Sequence, residues 1–254
     1  MYFATITTMV DMHRSRAKCP VVLRPQIAGT WLALVIALLA RSSTLLAQQP
    51  PVHYEHAGAL PPGAIGSRQL ERGGPLPGYF QPVEIKAPEG ASVSLAVEDQ
   101  FAPPVAAPLK AGMLIGSVYR LRVIGIPRHE GVEVFPTIEV VNRLYPPPGQ
   151  EVRFPVPIEL TLEDLELAMD GHFVTRIIYL EDPKLALPAA ADKEHQSWFE
   201  VGPHDDPLAV ADGLGRPMAI LRIGGRVPSD PDQPGAAFMY HSPPLLMLSG
   251  HNAR

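Results

Sequence analysis

The sequence predicts a mainly β protein: an antiparallel β-sandwich with one or two short helices inserted between its strands. Three observations lead there. The 254-residue chain holds 30 prolines and 21 glycines, and each proline inside a helix removes a donor and clashes with the preceding turn. Between Ser117 and Pro183, several stretches alternate apolar and polar residues with period two, the pattern of half-buried strands. The same stretch holds a single short segment of helical spacing.

At the start of the chain, residues 1–26 are basic and irregular, Ile27 to Ala40 is an apolar run, and Arg41-Ser-Ser-Thr-Leu-Leu-Ala47 follows. A basic lead, a short apolar run and a small residue before a polar stretch describe a secretory signal, so residues 1–47 are read as a signal peptide cut after Ala47. A bilayer span needs about 20 residues, more than this run offers; the alternative is an uncleaved anchor with Arg41 at the interface. The lead is long for a signal, which suits a start at Met9 or Met12. Cys19 is the sole cysteine, so removal of residues 1–47 would leave no thiol chemistry and no disulfide.

Residues 48–77 read as a disordered linker, because Pro50-Pro51, Pro61-Pro62-Gly63 and Gly73-Gly74-Pro75 leave no periodic apolar face. Residues 78–227 are the expected globular domain. Val83 and Ile85, a Pro88-Glu89-Gly90 turn, then Val93, Leu95 and Val97 read as a hairpin. After a proline-rich loop, Tyr119 and Leu121 fall out of phase with Ile124 and Ile126. A one-residue slip turns every side chain over, so a β-bulge is expected at Val123-Ile124, opposite Val134. Pro136 should face an edge or lie where pairing lapses, and Pro155 and Pro157 should mark an edge strand.

Thr161 reads as a helix N-cap, with Leu162, Leu165, Ala168 and Met169 as the buried stripe and Gly171 as the stop. Phe173 to Leu180 is apolar on both faces except Thr175 and Arg176, as a central strand would be. Trp198 to Val201 reads as a further strand, Asp206-Pro207 as a helix start, and Met218 to Ile223 as the last strand. Prolines return from Pro228, so residues 228–254 are expected to be a disordered tail.

Without residues 1–47 the remainder carries a net charge of −9. Phosphate backbones are bound by Lys and Arg that displace counterions, so nucleic acid is excluded as a partner. No nucleophile elbow, zinc helix, phosphate loop, calcium loop or dinucleotide fingerprint occurs, and no cofactor is expected. His53-Tyr-Glu-His56 has metal-like spacing but no rigid helix to aim both rings. His204-Asp205-Asp206 is the densest polar cluster of the globular region; capping of the following helix outweighs a metal or acid–base role. His129-Glu130 reads as a solvated turn pair. Arg120, Arg122, Glu133 and Glu139 could form a solvated charged strip worth little to stability. Tyr119 sits in an apolar pattern and belongs to the core, while Trp198 could stack on a ligand if exposed.

The blocks Gly116-Ser-Val-Tyr-Arg-Leu-Arg-Val, Phe135-Pro-Thr-Ile-Glu, Phe173-Val-Thr-Arg-Ile-Ile-Tyr-Leu-Glu-Asp-Pro and Gly215-Arg-Pro-Met-Ala-Ile-Leu-Arg-Ile-Gly resemble a group of exported bacterial proteins with no assigned activity. The resemblance spans residues 79–227 and implies export and one folded unit. The expectation is therefore an exported, non-catalytic structural or binding module of the cell envelope or exterior. Its candidate binding residues are Trp198, His204, Asp205 and Asp206, with an envelope protein or a glycan as partner, and it touches the membrane only through an uncleaved N-terminal segment. The alternatives are a periplasmic hydrolase or metal-dependent enzyme using His204 and Asp206, and a carbohydrate-binding module.

Overall fold

The computed structural model describes residues 3–10, 60–75, 77–185, 196–202, 205–231 and 233–248. His53, His56, His204 and the apolar run at 27–40 lie outside the described residues. Among the described residues the fold is mainly β, with thirteen strands in two packed sheets and three short α-helices. No helix among them is long and apolar enough to cross a membrane.

In chain order the elements are β1 (Phe3–Val10), α1 (Ala64–Glu71), β2 (Phe80–Lys86), β3 (Ser92–Val97), β4 (Gln100–Phe101), β5 (Val105–Ala106), β6 (Leu109–Leu114), β7 (Val118–Ile124) and β8 (Thr137–Val140). There follow β9 (Val156–Glu159), α2 (Leu162–Met169), β10 (Phe173–Glu181), β11 (Ser197–Glu200), α3 (Pro207–Leu214), β12 (Gly215–Ile223) and β13 (Leu245–Met247). The larger sheet runs β11-β1-β10-β12-β8-β7-β3-β4, with β5 also on β3; the smaller runs β13-β6-β2-β9. Both are antiparallel apart from two parallel pairs, β1 with β11 and β2 with β9.

The core lies between the sheets. Val83, Ile85, Ala111, Met113, Val156 and Ile158 of the small sheet meet Leu95, Leu121, Ile138, Ile178 and Leu221 of the large one. The outer face of the large sheet is covered as well. Ile6, Ile177, Tyr179 and Ile220 pack under Ile65 of α1 and Leu208 and Ala211 of α3. Enclosure on both faces explains the two-sided apolar run of β10, which lies between β1 and β12 as a central strand should.

Local signals placed several elements correctly. The Thr161 hydroxyl accepts the Asp164 N–H at 3.1 Å and starts α2. Asp206 accepts the Leu208 N–H at 3.0 Å with Pro207 at the first helical position of α3. β9, with its prolines, is the edge of the small sheet. At Pro136 the pairing of β8 with β12 stops, since Thr137 is the last partner.

Other expectations need correction. The stretch Val83 to Val97 is no hairpin: β2 and β3 lie in different sheets, and the Pro88–Ala91 turn carries the chain across the core. Alternation shows that one face is buried, and two strands facing each other across a sandwich show it as well as two neighbours do. No bulge occurs at Val123-Ile124. The pairing of Val118 with Glu139 continues in the same register to Val123 with Val134. The phase break comes instead from the end of β7, where Gly125 takes φ +66° and turns the chain before Ile126 re-enters the core. The register shift lies between Ile178 and Tyr179 of β10, where Met218 of β12 is the extra residue beside Pro217.

The folded body is also longer at both ends than residues 78–227. Phe3–Val10, expected to be irregular, pairs with β10 along its whole length. The expected linker contributes α1, and the expected tail contributes buried Phe238 and Met239 and strand β13, paired with β6, so Met218 to Ile223 is not the last strand. Each of these segments is too short or too proline-rich to show a period of its own, and each is held by tertiary contacts. Thus α1 has Gly63 at its N-cap and no side-chain cap, yet the Glu139 carboxylate accepts the Gly66 N–H at 2.8 Å, supplying a first-turn acceptor from across the fold.

Candidate binding surface

The polar residues of the large sheet are enclosed, which corrects the expectation of a solvated strip. Glu139 and Arg222 are buried and paired at 2.8 Å. Arg120 is buried too; it donates to the Phe135 carbonyl at 2.7 Å and the Phe238 carbonyl at 3.1 Å, with its guanidinium against the Phe238 and Tyr240 rings. Burial pulls the Arg120 pKa down to about 10, which still leaves it charged at neutral pH. Arg122 and Glu133, 3.8 Å apart, are the partly exposed members of the strip. Strand alternation marks a face as polar but does not say whether helices and a returning tail cover it.

Trp198 is the sequence candidate that reaches a surface concavity. β11 is the edge of the large sheet, and all four of its side chains are exposed, with Trp198 at 49% and Phe199 at 38%. The parallel register opposes Trp198 to Thr5 of β1 and Phe199 to Ile6. Asp164, in the first turn of α2, accepts a hydrogen bond from Nη2 of Arg176 on β10 at 2.8 Å, and its other oxygen lies 2.7 Å from Nε without hydrogen-bond alignment. This buried charge-assisted pair holds the guanidinium, which lies 5.1 Å from the centre of the Trp198 ring and covers one of its faces.

Thr5, Glu159, Thr161, Arg176, Gln196 and Trp198 line a recess here of about 10 Å³, room for about one water molecule and too little for a sugar ring. The Thr5 and Thr7 hydroxyls of β1 are buried and have no hydrogen-bond partner among the described residues. Gln196 is tied by its backbone N–H to Glu159 at 2.9 Å. Arg176 is the residue with most consequence that the sequence did not single out as a site. Its signal was legible: a cation within an otherwise apolar central strand must be paired.

The other named candidates are not brought together with Trp198. Asp205 closes a turn, its carboxylate accepting the Gly202 N–H at 3.2 Å, and Asp206 is the α3 cap. His129 is not a free turn residue: its ring lies 3.1 Å from Glu166 of α2, which Arg128 also contacts at 2.7 Å. Among the described residues no three His, Cys, Asp or Glu side chains stand close enough to hold a metal ion.

Compared with known proteins, the chain matches no family model, no curated protein and no solved structure. The surface has to be read from its own chemistry.

A second concavity of about 190 Å³ opens where β8 and β12 part, lined by Val132 to Phe135, Ala168, Met169 and Gly224 to Val227. Ligand pockets usually hold about 300–1,000 Å³, so this one has room for a side chain rather than a small molecule. Taken together, the geometry offers an exposed aromatic edge strand over a rigid ion pair, and a side-chain-sized slot.

Proposed function

We propose that the protein is an exported, non-catalytic binding module that holds an envelope protein at the β11 edge of its large sheet. The observation that supports this is the exposure of Trp198 and Phe199 on that edge. A row of unpaired edge groups is a template for another strand, and large aromatic side chains carry much of the binding energy at protein interfaces. The basic lead and apolar run at the N-terminus support the export part.

The carbohydrate reading rests on the same exposed ring and ranks second, because Arg176 covers one ring face and the neighbouring recess is too small for a sugar. The metal-dependent reading has only Asp205 and Asp206 among the described residues, and both are used in a turn and a cap.

Site-specific photo-crosslinking in the native cell tests the reading. A photoreactive side chain at Trp198 should give one discrete protein adduct in the envelope fraction, and the same group at exposed Val152 should give none. Equal adducts from both positions, or none from Trp198, would refute it.

A further inference from the structure

The export reading and the position of β1 conflict if β1 is a permanent strand. The apolar run at 27–40 lies between β1 and the rest of the fold. In the chain begun at Met1, rather than at Met9 or Met12, a cleaved signal takes residues 3–10 with it. If the run is an anchor, its basic lead stays on the inner face of the membrane while the body crosses. In either case β1 cannot remain between β10 and β11 after export. Yet β1 is enclosed there, with eight residues paired to β10, four to β11, and Ile6 fully buried.

We infer that β1 is a displaceable strand: the slot between β10 and β11 is filled by the chain's own N-terminal segment until export, and by an extended segment of a partner protein afterwards. This rests on the export and binding reading above, and it adds to the outer β11 edge a second seat on the other side of β11, beside β10.

The fit of β1 supports exchange. Its hydrogen bonds to both neighbours are main-chain bonds, which any extended segment can reproduce. Its outward side chains Ala4 and Ile6 fill the hollow under Leu208 and Ala211. Its inward side chains, Thr5 and Thr7, are a poor fit. Both hydroxyls are buried with no hydrogen-bond partner among the described residues, Thr5 on the recess and Thr7 opposite Arg176, and buried polar groups without partners disfavour the arrangement that holds them. The slot therefore defines its partner: uncharged residues throughout, a small residue opposite Tyr179, an Ile-like residue opposite Ile177, and larger side chains than threonine on the Arg176 face. Trp198 and Glu200 flank that face from β11.

The test uses the full chain with a specific protease site replacing residues 42–48, cut after purification. The probe is a fluorescent synthetic peptide of residues 2–11. Before cutting, the slot is filled by a tethered strand, and the tether's effective concentration excludes the peptide. After cutting, the body should take up one equivalent of peptide as the resident fragment leaves. An Ile6→Asp peptide should bind weaker by about a hundredfold or more, because the slot would have to bury a carboxylate. Three results would overturn the inference: no uptake after the cut while the resident fragment stays bound, equal uptake of the Ile6→Asp peptide, or unfolding of the body on cutting. If exchange fails while the Trp198 crosslink persists, strand displacement falls and the binding reading stands. If exchange succeeds and the crosslink is absent, the reverse holds.

Discussion

Replacing Glu139 by alanine should be among the most destabilising single changes outside the apolar core. Its side chain has no solvent exposure, with one oxygen on the Arg222 guanidinium and the other on the Gly66 N–H, both at 2.8 Å. Removing it leaves Arg222, itself 3% exposed, as an uncompensated buried cation, which typically costs about 3–5 kcal/mol. For a folded body of this size each kcal/mol moves Tm by about 2–4 °C, so a drop of about 6–20 °C is expected. The pair itself need not contribute net stability. Arg222 Nη2 has no partner among the described residues, so the desolvation of two charges is only partly offset. Glu139→Leu with Arg222→Met should therefore recover most of the loss. What remains, about 1–3 kcal/mol, is the cost of the Gly66 N–H left without an acceptor. Urea unfolding followed by circular dichroism, with m held common to all variants, gives the cycle. A Glu139→Ala loss below about 1 kcal/mol, or a double variant as unstable as the two single losses added, would refute the reasoning.

Leu121→Ala should cost about 2–5 kcal/mol in the same assay, because its side chain is fully enclosed between the sheets. Thr161→Ala should cost about 1 kcal/mol through the lost α2 cap, and Thr161→Ser should restore most of it. Burial pushes the Tyr119 hydroxyl up to about 12. Its folded pKa exceeds the unfolded value near 10, so its contribution is complete below pH 10 and is lost as pH rises towards 12, at about 1.4 kcal/mol per unit. Tyr119→Phe loses the bonds with the Leu114 N–H and the Pro244 carbonyl at neutral pH. The stability gap between wild type and Tyr119→Phe should therefore narrow from pH 10 to 12, a comparison in which Arg120 and Tyr179 cancel.

The legible parts of the fold were those whose cause is local. A hydroxyl three residues before a helical stripe, prolines on one face of a strand and an apolar run closed by Pro183 each act within their own segment, and α2, β9 and β10 follow. Pairing partners were less legible. Val83 to Val97 shows two alternating strands, and nothing in alternation separates neighbours from strands that face each other. The turn after Ile124 mimics a bulge because both invert side-chain phase. α1, β1 and β13 were missed since eight residues or fewer cannot hold themselves, and their supports lie far along the chain, at Glu139, at β10 and at β6. At the surface, Trp198 was nameable from its residue type. Its importance depends on Arg176 and Asp164 meeting behind it, which only the packing of α2 against β10 brings about.

The tail contacts of β7 carry a consequence for the order of events after synthesis. Tyr119 is tied to Pro244, and Arg120 to Phe238, partners 125 and 118 positions further along the chain, so the middle of the large sheet waits for residues made much later. Phe3 in turn waits for Leu180. A sheet built on such distant pairings closes slowly, and an incomplete one is an open chain with unsatisfied edges. The edges of β10, β7 and β6 therefore stay open until both ends of the fold have reached them.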